Sequence, residues 1–219
     1  MSTAPRPTGK FIRLAHLRRL RGCHKVAAVC YRVRSTGIEF LLVKTHGSGR
    51  WTFPKGSAEP GLTHAQAAAL EAFEEAGVHG RMEEVSFATY VRRKPGDSGK
   101  SAASGAQIVN AHLCEVTRLE APPEFDRSPT WFSPEKAKCG LREDRSADYA
   151  AELARVVDRA VARIQRLCLH ATMAAAARPK DAPRKDALQK VQFIDCAWRT
   201  VDTPKTSAAN GKPRRQFLN

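Results

Sequence analysis

Apolar residues fall in short runs along the first half of the chain and at helical spacing near its end. The runs "KVAAVCYRVR" and "IEFLLVKTH" flank Ser35-Thr36-Gly37 and predict two strands joined by a hairpin-like turn. "WTFP" predicts a short third strand, stopped by Pro54. Alanines dominate from Thr63 to Ala76 and predict a helix. Thr63 can cap its N-terminus, and Gly77 stands where a left-handed residue ends a helix. "EVSFATYVRR" and "QIVNAHLCEVTRL" predict two further strands, facing each other across the Gly/Ser/Lys loop "KPGDSGKSAASGA". Pro134 suits the first turn of a short helix. Beyond it, Tyr149, Leu153, Val156, Val157, Ala160, Val161 and Ile164 recur with helical period and predict a long amphipathic helix. Strands, a helix, more strands and a final helix make an α+β sandwich, with a mixed sheet between the two helices.

Composition changes at both ends. Residues 1–24 form a basic extension, residues 25–170 the folded domain, and residues 171–219 a basic tail rich in Ala, Lys, Pro and Thr that is expected to be mostly disordered. Within the tail, "KVQFIDCAWRT" is a candidate docking segment. In the N-terminal segment "KFIRLAHLRRLRG", Phe11, Leu14, Leu17 and Leu20 sit at helical spacing among arginines, with no acidic residue before Glu39. That pattern suits a basic helix packed on the domain or on an anionic surface, and organellar targeting is the alternative.

Charge narrows the partners. Lys and Arg number 37 against 22 acidic residues, a net charge of +15. Such a surface favours anions: nucleotides, inositol phosphates, nucleic acid through the basic tails, or an anionic membrane surface. The six cysteines (23, 30, 114, 139, 168 and 196) show no close metal-ligand spacing and read as reduced thiols, which points to a cytoplasmic protein. No apolar run approaches the roughly 20 residues of a membrane span.

Against this positive background, the predicted Ala-rich helix carries Glu71, Glu74 and Glu75. At about 100° per residue, Glu71 and Glu75 share a face and Glu74 lies about 60° to one side. Ala68, Ala69, Ala72 and Ala76 point elsewhere and are small enough for close approach to a sheet. Like charges at this spacing repel, and they stand at the helix end that disfavours anions. A solvated helix face is one reading. A divalent-cation site is the other, since a hard cation takes carboxylate oxygens and leaves positions for substrate phosphates.

The stretch "GRWTFPKGSAEPGLTHAQAAALEAFEEAGVHG" resembles the signature of the Nudix hydrolases. That signature is a Gly, a Glu six residues later, then seven residues before Arg-Glu-apolar-x-Glu-Glu-x-Gly-apolar. Gly56 opens it here, and Glu71, Ala72, Glu74, Glu75, Gly77 and Val78 close it at matching spacing. The resemblance covers Lys25 to Leu169 and is nearest in look to the branch acting on diphosphoinositol and diadenosine polyphosphates. It implies an α/β/α sandwich and hydrolysis of a phosphoanhydride bond in a nucleoside or inositol polyphosphate by attack of water on phosphorus.

By the same resemblance, Glu71, Glu75 and the Gly56 carbonyl would hold Mg²⁺, with Mn²⁺ as the alternative ion. Glu74 would accept the proton of the attacking water, and Lys55 would meet phosphate. Lys25, Arg32 and Arg34, on the first strand, are further candidates for phosphate binding. Glu75 is expected to face solvent or metal, so that removing its charge leaves the fold intact. Trp51 and Phe53 are expected in the core, and His46, His64 and His112 carry no ligand spacing.

Two positions depart from the signature. Leu62 replaces the early Glu and Leu70 replaces the Arg, while Glu59 lies close enough in sequence to supply a carboxylate. An arginine at position 70 would orient Glu74 one turn away. Restoring it is expected to be tolerated or to raise turnover. The departures keep a second class open, a Nudix-fold module that binds nucleotide or RNA without cleaving it. A basic nucleic-acid protein is a third reading, which leaves the glutamates unexplained.

Overall fold

The computed structural model describes residues 25–93, 106–176 and 192–196. The predicted hairpin forms from β1 (Lys25–Arg34) and β2 (Gly37–Lys44), with Arg34 opposite Gly37. β3 (Trp51–Thr52) continues the sheet from β2, and β4 (Lys55–Ser57) runs antiparallel to the start of β1. β5 (Val78–Glu83) and β6 (Ala88–Arg93) both pair with the long β7 (Ala106–Leu119), which itself lies parallel to β1. β8 (Thr130–Phe132) joins β2, and β9 (Phe193–Cys196) lies along β5. The main path is β3-β2-β1-β7-β5-β9, a mixed sheet with one parallel pair at its centre.

Helices cover both faces of this sheet, which explains why β1 reads as an almost unbroken apolar run. Ala27, Val29 and Tyr31 face one core with Phe40, Leu42 and Phe53. That core is closed by α2 (Pro134–Arg142) and α3 (Ala147–Ala176) through Ala137, Leu141, Leu153, Val156, Val157, Ala160 and Ile164. Val26, Ala28 and Cys30 face the other, under α1 (His64–Ala76). There Ala65, Ala68, Ala69, Ala72 and Ala76 are almost wholly buried, so the helix axis lies close to the strands. The chain is the α+β sandwich its pattern predicts.

The ends of α1 are set by local chemistry. The Gln66 N–H donates to the Thr63 hydroxyl and the Thr63 N–H to the Gln66 side chain, a reciprocal capping box. At the other end Gly77 adopts φ 65°, and its N–H reaches back to the Phe73 carbonyl at 2.8 Å.

Four expectations change. β5 falls on "VHGRME", where no strand was expected, and the strand predicted over "EVSFATYVRR" begins only at Ala88. The long helix runs past residue 170 to Ala176, where four of the six added residues are alanine, the best helix former. Part of the tail is ordered, since the core of the candidate docking segment is β9. The segments expected to form a basic N-terminal helix and a Gly/Ser/Lys loop, at 1–24 and 94–105, lie outside the described residues. Among those described, no helix is long and apolar enough to cross a membrane.

Candidate functional site

The signature stretch folds into β4, a loop and α1, and β4 brings Gly56 beneath the helix. A Cβ built at Gly56 would overlap the Glu71 carboxylate, so that carboxylate rests directly on the backbone of β4. Glu71 is half-buried, and its carboxyl is pushed up to about 7. Loss of water is the main cause, followed by repulsion from Glu75, Glu74, Glu124 and Glu59.

Glu75 corrects one expectation outright: it is 3% exposed rather than facing solvent. Its Oε2 accepts the Lys55 backbone N–H at 3.1 Å, and its Oε1 lies 2.9 Å from Arg127 Nη2. Burial raises its carboxyl, while the Lys55 and Arg127 cations and the Lys55 N–H pull it back down. Glu74 is half-buried beside them, and its backbone carbonyl accepts the Glu124 N–H at 3.0 Å.

Arg127 and Glu124 come from the connection between β7 and β8, which is docked along the C-terminal half of α1. The Glu120 N–H donates to the Gly77 carbonyl at 2.9 Å, and the Lys44 N–H to the Arg127 carbonyl at 2.6 Å. Glu124 Oε2 accepts from Arg127 Nε at 2.7 Å. His46 Nδ1 and Asp126 Oδ2, 2.5 Å apart, tie the same connection to the loop after β2.

The cationic side of the site centres on Lys55. Its ammonium is pushed down to about 8, first by burial, and then by Arg92, Arg127 and Arg145, against the attraction of Glu75. Arg145 is held by the carbonyls of Leu141, at 2.8 Å, and Trp51, at 2.5 Å. Lys55 thus feels one carboxylate, Glu75, and three cations, of which Arg127 is itself paired with Glu75.

The other first-strand candidates separate. Lys25 Nζ donates to Ser57 Oγ at 2.7 Å, one residue along from Gly56 on β4. Arg32 instead pairs with Glu39 at 2.6 Å and lies over the Trp131 ring at 4.1 Å, and Arg34 is exposed at the hairpin turn. They stand five and seven residues beyond Ala27, the register partner of Lys55, or about 16 and 23 Å along the strand. The structure therefore does not bring these two arginines to the glutamates.

Arg92, Arg127 and Arg145 are the residues that sequence reasoning missed, and no spacing in the chain points to them. Leu70 is 7% exposed and packs in the core beneath α1, with Leu62 partly buried at its edge. Phe53 is fully buried, and Trp51 packs edge-on against Phe132 at 4.9 Å.

These residues suit a hard divalent cation in their donor chemistry, since Glu71 is a desolvated carboxylate with other carboxylates around it. Among the described residues, no three His, Cys, Asp or Glu side chains are gathered into a complete cage. Mg²⁺ does not need one, because it commonly binds through one or two carboxylates, water and substrate phosphates.

The model of the NUDIX domain matches residues 24–155, well over half of the chain. The chain belongs to the Nudix family. The Nudix chain is 48% identical over 48 residues to the asymmetrical bis(5'-nucleosyl)-tetraphosphatase of Sus scrofa, a match spanning 22% of this chain and 33% of that protein. The chain thus spans about a third of the length of that curated relative. Among solved structures, the Ap4A hydrolase of C. elegans in a binary complex superposes with a TM-score of 0.50 at 23% identity, covering 66% of this chain and 98% of that one. A NUDIX hydrolase of Nitrosomonas europaea gives a TM-score of 0.47 at 20% identity, over 65% of this chain and 94% of that one. The first of these superpositions shows the fold.

Proposed function

We propose that this Nudix protein is a pyrophosphohydrolase that cleaves a phosphoanhydride bond in a nucleoside polyphosphate, with dinucleoside tetraphosphates the first substrates to test. The observation that carries the reading is the Glu71 carboxylate seated on Gly56, close enough to Glu74 and Glu75 to be raised by their charge. The name of the Sus scrofa relative, matched over the part of its length given above, supports the substrate class.

Glu71, Glu75 and the Gly56 carbonyl are the groups that would hold Mg²⁺ or Mn²⁺. Such an ion neutralises phosphate oxygens and eases deprotonation of water. The protein's own groups do the rest. Lys55, Arg92 and Arg145 attract the phosphate chain and orient it along the end of the sheet. The Lys55 N–H and Arg127 keep the Glu75 carboxylate in place. A Glu74 carboxylate oxygen takes the proton of the water attacking phosphorus, and the bridging oxygen leaves with the departing phosphate. Cytoplasmic residence belongs to the same proposal, and cell fractionation tests it.

The test is a panel of dinucleoside polyphosphates, inositol pyrophosphates, nucleotide sugars and NADH, incubated with Mg²⁺, Mn²⁺ or EDTA. Products are resolved by chromatography in ¹⁸O-labelled water. Metal-dependent turnover with the label on a product phosphate is expected. Leu62 and Leu70 favour a second reading, a module that binds nucleotide without cleaving it. No turnover of any compound, together with tight nucleotide binding by calorimetry, would establish that one.

A further inference from the structure

α1, "HAQAAALEAFEEA", contains no lysine or arginine, and position 70 is a leucine packed into the core. Any fixed cation for its carboxylates must therefore come from elsewhere in the fold. We propose that Arg127, delivered by the connection between β7 and β8, is the positioning residue for Glu75 and supplies from outside the helix a fixed cation that α1 lacks. The proposal rests on the hydrolase reading above and assigns one of its parts.

The geometry is that of a clamp. Arg127 Nη2 lies 2.9 Å from Glu75 Oε1 and 2.7 Å from Glu124 Oε2, so one nitrogen bridges two carboxylates. Nε makes a second bond to Glu124 at 2.7 Å, and Nη1 reaches the Lys44 carbonyl at 3.4 Å. The backbone at the same residue is held by the Lys44 N–H. Both ends of the arginine are thus fixed, and its side chain is only 15% exposed. The second Glu75 oxygen is held independently by the Lys55 N–H.

With one oxygen on each side engaged, the plane and rotamer of Glu75 are set before any ligand arrives. This is preorganisation of the kind that positions a reacting group. Lysine cannot reproduce it. A point charge lacks the planar fork that meets Glu75, Glu124 and a carbonyl together.

The experiment is a double-mutant cycle of Arg127→Gln and Glu75→Gln, with Arg127→Lys as the conservative variant. It has two readouts: steady-state kinetics on the best substrate of the parent, and Tm in EDTA. Arg127→Gln should lower kcat about 100-fold, with KM moving less than about threefold. On the Glu75→Gln background it should lower kcat by less than about twofold further. Arg127→Lys should recover only a minor part of the loss. In EDTA, Arg127→Gln should lower Tm, and adding Glu75→Gln should restore part of the loss.

Turnover of Arg127→Gln within twofold of the parent, or losses that multiply across the cycle, would overturn the assignment. So would additive Tm losses. If Arg127→Gln does not fold, Arg127→Lys against Glu75→Gln carries the same cycle. A parent that turns over nothing overturns the hydrolase reading and the positioning role with it. An active parent with an additive cycle overturns the clamp alone.

Discussion

The Glu71 carboxylate occupies the space that a side chain at position 56 would fill. Gly56 is thus required by contact across two elements, and its φ is of no consequence. Gly56→Ala should push the carboxylate off the β4 backbone, at a cost of about 1–3 kcal/mol. Turnover should fall at least about tenfold, because a displaced ligand loses its geometry. Circular dichroism should remain that of the parent. Denaturant unfolding of Gly56→Ala combined with Glu71→Ala should return most of the lost stability.

Glu75 is buried on an arginine and a backbone N–H, so removing it leaves the Lys55 N–H without its acceptor and Arg127 with Glu124 as its one carboxylate partner. Glu75→Ala should destabilise the fold by about 1–3 kcal/mol, read from chemical denaturation, since a buried N–H loses its acceptor and a partly desolvated cation loses one of its two carboxylates. Unchanged stability would mean that the pair contributes nothing to folding.

Leu70 was expected to tolerate arginine, and its burial reverses that expectation. Leu70→Arg would force a cation into the core between α1 and the sheet. We expect a loss of at least about 2 kcal/mol and no gain in kcat. Thermal unfolding measures the first, and initial rates the second.

The raised carboxyl of Glu71 predicts a pH dependence of the metal-free protein. Its folded value of about 7 lies above the ordinary 4.5, so between these values the folded chain holds a proton that the unfolded chain releases. Stability from this group is complete below the lower value and is lost as pH rises through the upper. In EDTA, Tm should fall between about pH 5 and pH 8, and Glu71→Gln should flatten that fall.

Lys55 titrates at about 8, so its positive charge is lost above that pH. KM for a polyphosphate substrate should rise above about pH 8 and more steeply for longer phosphate chains. Lys55→Met should raise KM at neutral pH and abolish this alkaline limb. Salt should weaken capture of long chains more than short ones in the parent, and less so in the variant.

Much of the fold was legible because its signals are local. α1 announced itself through Thr63, Gly77 and the alanine pattern, and β1 through its double-faced apolar run. β5 was not legible, because its buried positions include His79, Gly80 and Glu83, whose burial depends on remote partners. Glu83, for example, is held by Arg163 of α3 at 3.1 Å. The site divides in the same way. Gly56, Lys55 and the three glutamates lie within one stretch of chain and could be read together. Arg92, Arg127 and Arg145 come near enough to act on the Lys55 charge only through sheet pairing and loop docking, for which single residues leave no spacing. Leu70 looked like an absence in the motif and is instead part of the core.

The four residues of β9 have a consequence out of proportion to their length. Without them, the outer side of β5 from Gly80 to Glu83 would present a row of unpaired N–H and C=O groups, a template for strands of other molecules. Phe193–Cys196 occupies that template from within the same chain. Cutting the protein before residue 192 would therefore strip Ile194 and Cys196 from the core under α1 as well as opening a self-complementary border, and the shortened molecule would be prone to edge-to-edge aggregation.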